Sequence, residues 1–367
     1  MKIMSWEENV RRVEPYVPGE QPKRKDIIKL NTNECPYPPA PGVTAALERM
    51  DPASFRLYPD PEAKMLVHAL AESYGLRDEQ VFVGVGSDDV LAMIFLTFFQ
   101  SEKPILFPDI TYSFYDVWAN LYRIPYEQIP VDEEFRIRFE DYRKENGGIV
   151  IANPNAPTGI AVGKKQMKDF IAEHRDVIVV VDEAYVDFGG ESCVDLINEF
   201  DNLIVVQTFS KSRSMAGMRI GYAMADEKLI RYLLDVKFAM NSYTMNRPTL
   251  ELGVESVRDE AYFKGTTAKI VATRERMKTE LEGIGFTCTD SKANFLFAAH
   301  EKIPAAVMFE RLKEKGIYVR YWNKPRIQNR MRITIGTDEQ MDVLVKAMKE
   351  IIGEEGSFDA KVSVEWR

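Results

Sequence analysis

Leu203-Ile204-Val205-Val206-Gln207-Thr208-Phe209-Ser210-Lys211-Ser212-Arg213 is the stretch from which the fold can be read. Its first four residues are apolar, the composition of a strand covered on both faces, as at the centre of a parallel sheet. The run then ends in Ser210 and Lys211, which leaves an amine at the mouth of a buried strand. That is a poor place for an ordinary surface charge. An amine held there sheds its proton more readily and attacks carbonyls, which is how lysines form Schiff bases. Arg219 follows nearby, on the same connection, and suits a phosphate. An amine for an aldehyde and a guanidinium for a phosphate together point to pyridoxal phosphate.

Two segments upstream support that chemistry. Val177-Ile178-Val179-Val180-Val181-Asp182-Glu183-Ala184-Tyr185 predicts a second buried strand, with Asp182 emerging where an unpaired carboxylate is costly. A protonated pyridine nitrogen would give Asp182 a charge-assisted hydrogen bond of about 1.5–3 kcal/mol. It would also keep the ring able to absorb electrons. Taken alone, an Asp that caps the following turn is the simpler reading. Gly148-Ile149-Val150-Ile151-Ala152-Asn153-Pro154-Asn155-Ala156-Pro157-Thr158-Gly159 is a third strand, ending in a Pro/Gly loop that fixes its amide side chains. An asparagine there can donate to the phenolic oxygen of the cofactor, and so can Tyr185. Val83-Gly84-Val85-Gly86-Ser87-Asp88-Asp89 ends a strand and opens a helix over 90–100. Glycines before a helix start make an anion site, although a hairpin or a plain cap would look the same.

The rest of the chain bounds the reading. With 367 residues, 45% of them hydrophobic, it has material for a large core and two domains. A net charge of −9 without any basic stripe argues against a nucleic-acid binder. The opening residues are too charged for a secretory signal, and no run approaches the ~18 apolar residues that span a bilayer. Cys35, Cys193 and Cys288 are far apart, as expected of reduced thiols in a cytoplasmic protein. His68, His174 and His300 show no ligand spacing, so no metal is expected.

Apolar runs at 81–85, 105–107, 149–152, 178–181, 203–207 and 220–223 alternate with helical stretches. This predicts an α/β fold, a mostly parallel sheet with helices on both faces, over a large domain at 41–248. Ligands of such sheets gather at the carboxyl ends of strands, where Asn155, Asp182 and Lys211 fall. One long helix over 249–283 is expected to follow. Strands at 286–288, 295–298, 317–320 and 331–335 and helices over 305–315 and up to 352 then predict a smaller α+β domain. The expected small domain is 1–40 plus 249–367; no role is assigned to the tail at 354–367.

The order Asn153-Pro154-Asn155-Ala156-Pro157-Thr158-Gly159, Asp182-Glu183-Ala184-Tyr185, Ser210-Lys211 and Ala216-Gly217-Met218-Arg219 resembles the fold-type I pyridoxal-phosphate-dependent aminotransferases. Pro15-Tyr16-Val17-Pro18-Gly19, Leu30-Asn31-Thr32-Asn33-Glu34-Cys35-Pro36-Tyr37 and Leu57-Tyr58-Pro59-Asp60-Pro61 are similar to the branch acting on histidinol phosphate. The resemblance covers nearly the whole chain. It implies that Lys211 carries the cofactor and moves the substrate proton, with Asp182 at the ring nitrogen. Tyr185 and Asn155 would tune the phenolic oxygen. Gly86, Ser87, Asp88, Ser210 and Arg219 would hold the phosphate, and Tyr112 would stack on the ring. Tyr58 would reach the phosphate of the neighbouring subunit in a homodimer with shared sites. Tyr16, Asn33, Arg320 and Arg332 would bind substrate, although Arg320 also reads as a surface ion pair, and Tyr112 as a core tyrosine.

The chain departs from the common pattern at Ala156, where many members have an asparagine before the proline. The donor role therefore falls to Asn155, with Asn153 as the other choice. The implied reaction exchanges the amino group between L-histidinol phosphate and 2-oxoglutarate, giving imidazole-acetol phosphate and L-glutamate in histidine biosynthesis. Aromatic amino acid amino transfer and decarboxylation of threonine phosphate are the competing readings. Neither nucleic acid nor membrane is expected as a partner.

Overall fold

The structure, a computed structural model, describes residues 6–22 and 26–364, with the backbone alone from 355 onward. Its centre is a seven-stranded sheet. The strands are β1 (Val81–Gly84), β2 (Ile105–Pro108), β3 (Tyr126–Ile129), β4 (Gly148–Ala152), β5 (Val179–Asp182), β6 (Leu203–Thr208) and β7 (Gly221–Ala225). Across the sheet they run β1, β7, β6, β5, β4, β2, β3. Only β7 opposes its neighbours; the other pairings are parallel.

Every residue of β4, β5 and β6 is buried, because helices cover both faces. Val180, Ile204 and Val206 pack with Leu91, Ile94, Trp118 and Leu233 on one side. Val179, Val181, Leu203 and Val205 pack with Leu66, Met167, Phe170 and Leu250 on the other. The alternation is the two-residue period of a strand, seen in residues that are apolar on both sides. The expected strands appear in place. Sequence reasoning missed β3, since Tyr126, Glu127 and Gln128 lie on the sheet edge and keep some exposure, which leaves no apolar run.

The smaller unit is an antiparallel sheet of Arg320–Tyr321, Met331–Thr334, Phe295–His300 and Phe286–Cys288, in that order. Glu260–Glu282, Ala305–Glu314 and Asp338–Val364 back it with Ile270, Met308, Leu312 and Leu344. Three expectations need correction. The strand at 317–320 is two pieces. Ile317–Tyr318 pairs with Ile28–Lys29 of the N-terminal segment, and Arg320–Tyr321 pairs with Met331–Thr334. The single helix over 249–283 is broken at Asp259, whose backbone leaves helical geometry while its carboxylate caps the Tyr262 N–H of the next helix. The piece before the break, Arg247–Arg258, packs Leu250, Leu252, Val254 and Val257 into the core with Val43 and Leu66. The closing helix also runs past 352, to Val364.

Among the described residues no helix is long and apolar enough to cross a membrane. All three cysteines are free thiols.

Candidate active site

The sheet delivers its polar residues to one edge of the large unit. Asp182 is the last residue of β5, and the turn after β6 carries Ser210 and Lys211. Lys211 Nζ donates to the Thr32 carbonyl at 3.0 Å. Burial, and next the Arg332 charge, lowers the ammonium from its usual 10.5 to about 8. Ser212 Oγ donates to Asp187 at 2.5 Å, tying the lysine turn to the turn that carries Tyr185. Asp182 accepts from the Tyr115 hydroxyl at 2.8 Å and from the Ala184 N–H at 3.2 Å. Burial outweighs those bonds and pushes its carboxyl up to about 6. Both groups have been moved toward neutrality by the same desolvation, from opposite sides.

An anion cradle lies beside them. Helix Ser87–Phe98 begins after Gly86, which has φ +85° and needs glycine for that reason. A Cβ on Gly86 would collide with the Arg219 guanidinium, and one on Gly221 with the Gly86–Ser87 backbone. The two glycines thus let strand β7, the helix start and a guanidinium share one small space. Arg219 Nη1 donates to Ser210 Oγ at 3.3 Å, and Nη2 stands 3.4 Å from Asp88 Oδ2. The other Asp88 oxygen accepts from the Tyr112 hydroxyl at 2.7 Å.

The opposite wall comes from the smaller unit and the N-terminal segment. Arg332 Nη2 donates to the Asn31 carbonyl at 3.0 Å, while its buried Nε has no hydrogen-bond partner among the described residues. Arg320 Nη2 donates to the Val17 carbonyl at 3.1 Å. Both guanidiniums stand 5.2 Å from the centroid of Trp322, so one indole spaces two cations. Tyr16 stacks on Phe114 with centroids 4.1 Å apart. Asn33, at φ +58°, takes its place through Thr334, whose hydroxyl accepts the Asn33 N–H and donates to its side-chain oxygen, each at 3.0 Å. The Asn33 amide nitrogen then donates to the Tyr185 hydroxyl oxygen at 2.9 Å.

Most of the residues expected from sequence therefore line one cleft, Lys211 and Asp182 with Tyr185, Tyr112, Arg332 and Arg320 among them. Gly86 lies just behind it, against Arg219. Asn155 does not face it. Its amide nitrogen donates to the Ile110 carbonyl at 2.8 Å and to Thr158 Oγ1 at 3.2 Å, and its oxygen accepts from Thr111 at 2.8 Å. Asn153 pairs with the Val162 backbone in both directions, donating at 3.0 Å and accepting at 2.7 Å. The loop presents Ala156 to the cleft instead. Tyr58 stands apart, 79% exposed and packed at a tilt of 31° against Tyr243. Sequence reasoning missed Tyr115, Thr32 and Trp322, whose partners become visible only in space.

The donor set fits pyridoxal phosphate. A lysine with a lowered pKa, a buried carboxylate with no ion pair among the described residues, and a glycine-lined anion cradle match its aldehyde, ring nitrogen and phosphate.

Comparison with known proteins agrees. The sequence profile described as "Aminotransferase class I and II" matches residues 25–348. The histidinol-phosphate aminotransferase of Lactococcus lactis subsp. cremoris (strain MG1363) is 50% identical over 349 residues, 95% of this chain and 98% of that protein. That of Acinetobacter baylyi is 51% identical over 354 residues, 96% of this chain and 98% of that protein. Among solved structures, the histidinol-phosphate aminotransferase of Sinorhizobium meliloti in complex with pyridoxal-5'-phosphate superposes with a TM-score of 0.82. It shares 24% identity over 89% of this chain and 91% of that one.

Proposed function

Because the chain belongs to the class I and II aminotransferase family, we propose that it moves the amino group of L-histidinol phosphate to 2-oxoglutarate. The products are imidazole-acetol phosphate and L-glutamate, a step of histidine biosynthesis in the cytoplasm. The observation that carries the substrate is the pair of guanidiniums, Arg320 and Arg332, 5.2 Å from one indole at the cleft. Two such groups suit a phosphate dianion, and the same pair accepts the distal carboxylate of glutamate in the second half-reaction.

Bound in the cleft, pyridoxal phosphate supplies an aldehyde for an amine and a ring that accepts electrons. The protein's residues do the rest. With a pKa of about 8, the Lys211 amine is neutral in roughly one molecule in ten at pH 7, enough to form the covalent attachment. The same Nζ, when free, would take the proton from the substrate α-carbon. Asp182, held by Tyr115, would keep a proton at the ring nitrogen. Ser87, Ser210 and Arg219 would hold the phosphate at the helix start, with Asp88 orienting Arg219. Tyr112 would cover the ring, and Tyr16 and Asn33 would border the substrate.

The working unit is a homodimer. Tyr58 is 79% exposed, and Phe55, Leu57, Phe238, Met240 and Tyr243 on the same two segments are exposed as well. Large apolar side chains left in water mark an interaction surface. Across that surface Tyr58 would reach the neighbour's cofactor phosphate.

A half-reaction screen tests the function. Holoenzyme is mixed with histidinol phosphate, glutamate, phenylalanine or threonine phosphate, and the visible cofactor band is followed as it converts to the amine form. Histidinol phosphate and glutamate should convert it fastest. Carbon dioxide release from threonine phosphate, without conversion, would replace this reading with a decarboxylase.

A further inference from the structure

Arg320 and Arg332 are direct partners across the antiparallel pair of the small sheet, so their side chains leave the same face. Like charges placed opposite one another repel, and a nearby carboxylate is the ordinary remedy. Among the described residues, however, the acceptors of both guanidiniums are backbone carbonyls, Asn31 for Arg332 and Val17 and Pro18 for Arg320. A carboxylate would quiet the pair, but it would also occupy the hydrogens that a substrate anion needs. Trp322 stands in that place instead, its ring centroid 5.2 Å from each guanidinium. A π face attracts a cation, while the indole N–H is a donor only and takes no hydrogen from either arginine.

The indole is fixed from the other unit. Trp322 opens the connection between Arg320–Tyr321 and Met331–Thr334, and that connection is fastened to the large unit at Arg326. Arg326 Nη1 donates to Asp109 Oδ2 at 2.8 Å, and Nη2 to the Val131 and Asp132 carbonyls at 2.7 and 2.8 Å. Asp109 directly follows β2, and the two carbonyls lie just past β3. Arg326 has φ +69°, a strained value for an arginine, which these three bonds hold. Beside it Ile327 is buried with Ile110, Val131, Phe135 and Phe297, and Trp322 packs against that cluster.

We propose that Trp322 is a specificity-determining residue: its π face, latched in place through Arg326, holds Arg320 and Arg332 ready for a phosphate dianion. The proposal rests on the reading that these arginines meet the substrate phosphate. A pair already in position binds its anion more tightly, because less ordering is left for the moment of binding. The gain is larger for a phosphate, with close to two charges, than for the single charge of a carboxylate. Arg326 acts through Trp322 and is a positioning residue.

The probe is inorganic phosphate, titrated into holoenzyme by calorimetry. In the proposed reading the cofactor's own phosphate fills the cradle at the helix start, which leaves the arginines for the probe. Trp322→Leu keeps apolar packing and removes the π face. It should raise the Kd about five- to thirtyfold, the worth of one partly desolvated cation–π contact. Trp322→Phe restores a π face and should stay within about threefold of the parent. With histidinol phosphate, the loss in Trp322→Leu should fall on KM more than on kcat, and KM for glutamate should rise less. A parental Kd in Trp322→Leu, or a Kd in Trp322→Phe equal to that of Trp322→Leu, overturns the proposal. Equal rises of KM for the two substrates overturn it as well. Should Trp322→Leu not fold, Arg326→Gly releases the latch at a residue type that tolerates positive φ. Weaker phosphate binding there supports the proposal, and an unchanged Kd overturns it. Failure of the underlying reading would look different: Arg320→Gln, with Trp322 intact, would bind phosphate as tightly as the parent.

Discussion

The two walls of the cleft are built by different means. On the large-sheet wall, most contacts join parts of the large unit: Arg219 meets Ser210 nine residues away, Tyr115 meets Asp182 across 67, and Arg219 meets Asp88 across 131. On the opposite wall they join the two ends of the chain. Arg332 meets Asn31 across 301 residues, Arg320 meets Val17 across 303, and Asn33 meets Thr334 across 301. The first wall is a property of one mostly parallel sheet and, in the proposed reading, carries the chemistry. The second is assembled from separate segments and in that reading selects the substrate, so its arginines can change without moving the lysine.

Substitutions on the two walls should fail in different ways. The largest effect is expected from Lys211→Ala, which should abolish turnover and the borohydride-reducible adduct while leaving noncovalent cofactor binding. An adduct on another lysine would break the division at its root. Asp182→Asn should follow, with kcat reduced by several orders of magnitude and the fold intact, because the nearly isosteric amide no longer holds a proton on the ring. A rate within about tenfold of the parent would make Asp182 a turn cap only.

Substrate-wall variants should lose less and lose it selectively. Arg320→Gln should lower kcat/KM for histidinol phosphate by about ten- to a hundredfold, the worth of one charge-assisted contact, and spare an unphosphorylated aromatic amino acid. Arg332→Gln should damage histidinol phosphate and glutamate together. Equal losses for phosphorylated and unphosphorylated substrates in Arg320→Gln would remove the distinction.

The smallest effect crosses between the walls. Covalent reconstitution of apoenzyme with pyridoxal phosphate requires the neutral amine of Lys211. Its rate should therefore rise with pH through a midpoint of about 8 and level off above it. Burial is the first cause of that low value and the Arg332 charge the second, so Arg332→Gln should move the midpoint upward, toward 10.5. A midpoint that ignores Arg332 would show two electrically separate walls.

The same contrast governs what could be foreseen. Strands β4, β5 and β6 were legible because burial on both faces leaves an unbroken apolar run, and Asp182 and Lys211 come directly after such runs. Edge strand β3 carries Glu127 and Gln128 and offers no such signal. The break at Asp259 was hidden because buried positions continue on both sides of it, Val257 before and Thr266 and Ile270 after, while one backbone conformation changes. The motif around Asn155 named a loop that lines the cleft through Pro154 and Ala156. The direction of the amide was decided by Ile110 and Thr111, more than forty residues earlier. Trp322 gave no hint, since its part depends on two arginines that converge only after the small sheet has formed.

The bond between Asn33 and Thr334 carries a consequence for synthesis. With 301 residues between them, and a ribosome adding ~5–20 residues per second, Asn33 waits roughly 15–60 s for its partner. The strands of the large sheet, the last of which ends at Ala225, are all made within that interval. A nascent chain can therefore complete the cofactor wall while the substrate wall is still being translated.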